Sequence, residues 1–421
     1  MGILRNTLNI IQGKKEGWIK RKWVFDTYSE ILAPPLSYSY KGQIYLIFGT
    51  KAGTLYALNS QSKVKWEYNI KDNFSDTEKL FMDKEALTSI TSTPSIYTSN
   101  NGEIPLILFG SEDCFLYAIN INGEFIWKFK TGGIIRTTPL ICDVDGNNEK
   151  DIIFGSNDHF LYVLNKEGKM KLKFEARSEI ESPPSVIEKK QGSCILFGSN
   201  DGYLYCVDIK GEKVWEFKTE GKITAQPVVV NMKKENDQII IFGSSDGNLY
   251  VVDEEGVLKW RFETEGGISS KVSVADINKD QKMEIIFGCS DDKVYCVSYN
   301  GNKIWDFEAD FWIVSTPLIN DIDEDGKMEV IFGSLDSTLY ILDAEGEFTL
   351  NYIPGISSIT QQRGHYQDVI SNDVGEYNAK KIWQIKTDGM VTSTSIIEDK
   401  NNKSIIVGTK NGKIEKYCYV K

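Results

Sequence analysis

Three short segments set oxygen-bearing side chains at a shared spacing. They are Asp143, Asp145, Asn147 and Asp151; Asp276, Asn278, Asp280 and Glu284; and Asp321, Asp323, Asp325 and Glu329. Ligands at the first, third, fifth and ninth positions, joined by the carbonyl of the seventh, can approach the roughly six to eight oxygens that calcium takes. The same residues can instead hold a solvated turn, with Asp and Asn bonding to nearby backbone. No segment carries a separate nucleophile or base, so any bound calcium would be structural.

Other chemistry has few residues to work with. The two histidines, His159 and His365, lack a neighbouring nucleophile motif. Seven scattered cysteines without a CxxC pair suggest neither a zinc site nor a disulfide framework. A net charge of −12 argues against nucleic acid as a partner, because phosphate contacts are led by Lys and Arg. No apolar run approaches the roughly eighteen residues of a membrane span. The opening residues lack a secretory pattern, so the expected address is the cytoplasm. The alternative is extracellular or envelope if a leader has been removed, and occupied calcium loops would favour it.

Whatever these residues do, a repeat must position them. The string F-G-S-x-D-G-x-L-Y starts at Phe48, Phe109, Phe154, Phe197, Phe242, Phe287 and Phe332, with a weaker eighth copy at Val407. Most intervals are 43 or 45 residues, and the two longest are 61 and 75. Each unit reads as four short strands rich in Ile, Val, Tyr, Phe and Trp, punctuated by Gly, Asn or Asp. One such sheet cannot cover its own two faces, whereas radial packing around a channel covers both.

The predicted fold is therefore all-β: one eight-bladed β-propeller over residues 1–421, with four-stranded antiparallel blades. The segment Lys22–Phe25 is expected to complete the last blade. Trp66, Trp127, Trp215, Trp260 and Trp305 are expected to wedge between neighbouring blades. Phe348–Tyr352 and Lys381–Ile385 both have outer-strand character, which leaves seven blades as the alternative.

The strings from Ala118 to Trp127 and from Val251 to Trp260, with the whole F-G-S-x-D-G-x-L-Y unit, resemble the tryptophan-docking repeat of PQQ-like propellers. The acidic segments resemble the calcium loops of integrin-type FG-GAP propellers. The first resemblance implies the fold over nearly the whole chain, and a family that ranges from quinoprotein dehydrogenases to BamB-type envelope assembly factors and binding proteins. Quinoprotein alcohol dehydrogenases typically carry an adjacent Cys–Cys pair. None is present, so bound PQQ is not expected.

The turn aspartates, Asp113, Asp158, Asp201, Asp246, Asp291 and Asp336, recur in almost every blade and so read as structural Asx turns. Departures from the repeat are more informative. Cys114, His159, Asp292 and Ser337 replace the turn glycine, and Phe311 and Trp312 replace a Gly-rich pair. Arg136 and Glu181 occupy equivalent positions at the channel mouth. Insertions at 69–89 and 354–379 are expected on this same face, the second carrying Arg363, His365 and Tyr366. Ser75 and Glu78 form a capping-box pattern for a short helix in the first.

Together these residues suggest a non-catalytic binding or scaffolding propeller for a protein, peptide or glycan, monomeric unless a partner imposes assembly. The bland reading is that the insertions plug the channel, Phe311 and Trp312 pack beneath them, and Arg136 pairs with Glu181. Two further readings are an enzyme acting on a small molecule through Arg136, Glu181, His159 and Arg363, and a BamB-like envelope factor.

Overall fold

The computed structural model describes residues 18–74, 88–99, 101–189, 192–232, 238–343, 383–399 and 402–420. Their strands form eight four-stranded antiparallel sheets, seven of them meanders of consecutive strands, so the seven-bladed alternative does not hold. Trp18–Asp26 pairs with Lys413–Val420 and supplies the outer strand of blade eight. The first and last described strands thus close the ring together, as expected from Lys22–Phe25.

The Phe-Gly anchor is explained by what meets it. The anchor Phe is fully buried in seven blades and stacks on the Tyr of the same unit, at 5.3 Å for Phe197 and Tyr205. The Gly beside it is where the next blade enters. A Cβ on Gly110, Gly155, Gly198 or Gly243 would overlap Ile135, Ile180, Ile223 or Ile268 of the following lead-in. Each unit therefore leaves a notch that its neighbour's isoleucine fills. Burial of that isoleucine drives ring closure.

The tryptophans fasten the outer wall. The Trp66, Trp127, Trp215 and Trp260 indoles each donate to a carbonyl in the next blade's turn, at 2.9–3.0 Å. Their rings lie against Gly123, Gly168, Gly256 and Gly301, whose positive φ forms the turn and leaves room for the indole. Trp305 is buried at the corresponding position. Trp23 makes the same bond from blade eight to Ser60 of blade one, a role that the repeat pattern did not assign to it.

Blade seven corrects two expectations. Its fourth strand is Trp383–Lys386, paired with Thr338–Asp343; Phe348–Tyr352 lies outside the described residues. Both strands that flank 344–382 therefore belong to one blade, as its third and fourth. In an up-and-down blade that hairpin opens on the side of the first-to-second hairpins. The described strand ends at Asp343 and Trp383 thus lie on the acidic-loop face, and 354–379 itself lies outside the described residues. The 69–89 segment follows an outer strand and leaves on the opposite face, so the two insertions do not share an origin. Of the latter, Ile70–Asn73 forms a 3-10 turn, and the Ser75–Glu78 pattern lies outside the described residues.

Candidate functional site

One face carries the second-to-third-strand turns and the connections between blades. Its turn aspartates are clasps. In blade five, Asp246 accepts the Asn248 amide at 3.0 Å on Oδ1, and on Oδ2 the Tyr250 hydroxyl and the Glu220 amide, both at 2.9 Å. The last of these bonds comes from the connection entering that blade. Equivalent clasps use Asp158, Asp201 and Asp291. These groups are consumed in holding the ring, which supports the structural reading of the repeated Asp.

At the channel mouth Arg136 bridges three blades. Its guanidinium donates to Glu112 Oε1 at 3.0 Å and to Glu181 Oε1 at 2.8 Å. Asn157 and Asn200 add amide donors to Glu181. Burial opposes ionisation of Glu181, but these donors hold its carboxyl below the usual range. The bland reading of this pair is therefore what the geometry displays: a saturated bridge that ties blade three to its neighbours.

His159 stands at a positive φ of 76° and closes its turn through backbone bonds to Ser156 and Ala176. Phe311 and Trp312 are not packed away. They are 44% and 47% exposed, with rings stacked at 5.4 Å and 17°. Arg363, His365 and Tyr366 lie outside the described residues.

The opposite face carries the three acidic loops, and they are not equivalent. In each, the first Asp accepts backbone amides four and five residues on, as an Asx-held turn does: Asp143 from Asn147 and Asn148, Asp276 from Asp280 and Gln281, Asp321 from Asp325 and Gly326. The ninth-position carboxylates Asp151, Glu284 and Glu329 are buried and accept the amides of Val144, Ile277 and Ile322.

In the first loop, Lys171 places its ammonium 2.8 Å from Asp145 and 2.6 Å from Asp151, filling the acidic centre with a built-in cation. Carboxylate oxygens gather within 4.8 Å of one another both there, from Asp143, Asp145 and Asp151, and in the third loop, from Asp321, Asp323 and Asp325. In the third, burial and the neighbouring aspartates push Glu329 up to about 8. The middle loop has Asn278 where the others have Asp145 and Asp323.

Sequence reasoning passed over Lys271, just before the innermost strand of blade six, where other blades carry Thr, Gln or Pro. Its side chain is open to solvent, yet enough protein surrounds it to depress the ammonium pKa. Departure from the repeat was the available signal. A concavity of about 500 Å³ beside Tyr97, Ile126 and Trp127 lies on the outer rim away from these groups.

Comparison with known proteins locates the fold. The family model of the lambda-carrageenase β-propeller domain matches residues 186–259 and 239–354. The crystal structure of BamB from Moraxella catarrhalis is similar at a TM-score of 0.62 and 15% identity, covering 95% of this chain and 100% of that one. A structure of BBS1N in complex with ARL6DN, soaked with mercury, is similar at a TM-score of 0.52 and 12% identity, covering 95% and 96%. No curated protein sequence matches. At these identities the likenesses show a β-propeller and no activity. No helix among the described residues is long and apolar enough to cross a membrane.

Proposed function

We propose that this propeller is a non-catalytic interaction scaffold that holds a protein partner on the face of the turns and inter-blade connections. One contrast carries the reading. On that face Asp158, Asp201, Asp246, Asp291 and Arg136 are spent on bonds within the ring, whereas large apolar rings stand exposed. Spent polar groups offer little to a reacting small molecule, and exposed aromatics on a rigid frame suit a protein interface. The BBS1N structure supplies a propeller-like neighbour that was solved with a protein bound.

The test is hydrogen–deuterium exchange on the chain with a partner captured from its native cell. Slowed exchange is expected in the connections 131–136, 176–181, 309–314 and 388–392. Protection confined to the acidic loops or outer strands would overturn the assignment of this face.

We also propose a structural calcium in the third acidic loop, held by Asp321, Asp323, Asp325 and Glu329. Three gathered aspartates support it there, and the Lys171 ammonium makes a metal redundant in the first loop. Asp276, Asn278, Asp280 and Glu284 would bind more weakly, having one carboxylate fewer. Calcium titration by calorimetry should give heat that an Asp321→Asn, Asp323→Asn variant loses and an Asp143→Asn variant keeps. Absence of heat would leave all three segments as hydrogen-bonded turns.

A further inference from the structure

The connection into blade seven carries two large aromatic side chains where several sibling connections carry glycine. Gly132, Glu220, Glu265 and Asp310 donate their amides to the Asp of the turn they enter. The next residue is Gly133, Gly221 or Gly266 in blades three, five and six, Ser178 in blade four, where Arg177 donates to Asp201, and Phe311 in blade seven. A Cβ on Gly133 or Gly266 would come 2.5 Å from the amide nitrogen of Asp158 or Asp291, and Gly221 is crowded in the same way. Blade seven nevertheless places Phe311 there and follows it with Trp312. Met390, 42% exposed, holds the position in blade eight that Trp312 holds in blade seven: Lys410 donates to its carbonyl as Leu335 donates to that of Trp312.

The same corner is acidic and unbalanced. Asp292 replaces the turn glycine of blade six at φ 70°, and its Oδ1 is buried without a hydrogen-bond partner. Its carbonyl accepts the Ala309 amide at 2.7 Å, which brings the flanking Glu308 and Asp310 to this turn, and the Asp310 amide in turn reaches Asp336 at 3.2 Å. Burial and these carboxylates raise the Asp292 pKa. Asp336 Oδ1 is likewise buried and unpartnered. The nearby Lys386 ammonium goes instead to the Asp336 carbonyl and the Thr338 hydroxyl. Among the described residues no salt bridge reaches Asp292, Glu308, Asp310 or Asp336. An aromatic shelf beside uncompensated negative charge complements a ligand that is apolar and cationic at once, and repels a polyanion.

We propose that the blade six–seven corner docks a partner peptide carrying Arg or Lys beside a large apolar residue. The apolar group lies on Phe311 and Trp312, and the cation enters among Asp292, Glu308 and Asp310. This rests on the scaffold reading and names the chemistry of its partner. A guanidinium suits the site especially well, since it pairs with carboxylates and stacks on aromatic faces with the same plane.

Fluorescence anisotropy tests it on the full chain with labelled dodecapeptides alternating Arg–Leu, Arg–Ser and Glu–Leu. The Arg–Leu peptide should bind best. Its affinity should fall about tenfold or more in Trp312→Ala, and separately in the Asp292→Asn, Asp310→Asn pair, isosteric changes whose folding is checked by an unchanged unfolding midpoint. The proposal is overturned if both variants bind as the native chain does, since the peptide would then be adhering elsewhere on an acidic protein. Equal binding of Arg–Ser would reduce the effect to charge alone and overturn it as well. Displacement of the peptide by cellohexaose would make the shelf a glycan site, also against the proposal. If the peptide fails while exchange protection by the captured partner still falls on 309–314, the scaffold stands and only the assigned chemistry is lost.

Discussion

Blades five and seven carry the same turn and put it to different use. In blade five every oxygen of Asp246 is bonded, the connection before it is Glu220-Gly221-Lys222, and a glycine lets the two blades close tightly. In blade seven Asp336 keeps its bonds to Tyr340 and the Asp310 amide, but Oδ1 is left without a partner and the glycine gives way to Phe311. A repeat displays its structural requirements by repeating them. Blade five has unpaired buried oxygens of its own, on Gln238 and Asn248, so the difference lies in the half-used clasp carboxylate and the exposed aromatic rings, neither of which adds stability. Selection for something outside the ring is the simpler account.

That contrast can be broken most forcefully at the blade joints, where the largest effects are expected. Trp215→Ala removes a ring seated on Gly256 and the bond to the Glu254 carbonyl, and should cost about 3 kcal/mol in urea unfolding. The seam should come next. Blade eight has Asn411 where most others have Asp, and Glu415 replaces the lost clasp by accepting the Asp388 amide, the Tyr417 hydroxyl and Arg21. Glu415→Ala would strand those donors at a fully buried site and cost about 2–3 kcal/mol. Little change in unfolding midpoint for either variant would mean the joints are not what holds the ring.

These joints also show how much could be read from the chain. The Phe-Gly anchor, the docked tryptophans and the closure through Lys22–Phe25 were legible because each is written locally and then copied. The Glu415 substitution was not: it lies four residues past the position it replaces, and its Arg21 partner is 394 residues away in sequence. Blade seven misled for a related reason. Phe348–Tyr352 has the apolar character of an outer strand, and only pairing with Thr338–Asp343 identifies Trp383–Lys386 as the strand in use. The acidic loops matched in spacing, but Lys171 comes from an outer strand, where alternating lysines are commonplace and announce no role. The candidate site residues stand where the repeat is broken, as at Phe311, Trp312 and Asp292. Whether a break is satisfied internally, as at Arg136, depends on distances between blades that spacing does not encode.

Smaller effects sharpen the comparison itself. Asp246→Ala should destabilise by about 2 kcal/mol, and Asp336→Ala by roughly 1 kcal/mol less, because the second carboxylate has an oxygen that bonds nothing. Equal losses, measured in the same denaturant series, would mean that the two turns bear the same structural load.

The smallest change is the most diagnostic. Phe311→Gly installs the residue that blades three, five and six already carry at this position, so the ring should accept it. The expected shift in stability is within about 0.5 kcal/mol, as for surface substitutions that remove no cap, core contact or buried bond. The stacked partner Trp312 would lose its neighbour, which intrinsic fluorescence can follow while the unfolding midpoint stays put. A loss of about 2 kcal/mol or more would show that the Phe311 ring is packed rather than presented. Blade seven would then be a structural variant of blade five, and the unpaired carboxylates beside it would need a different explanation. A silent substitution leaves the aromatic pair with no duty inside the ring, and a partner outside it becomes the reason for its presence.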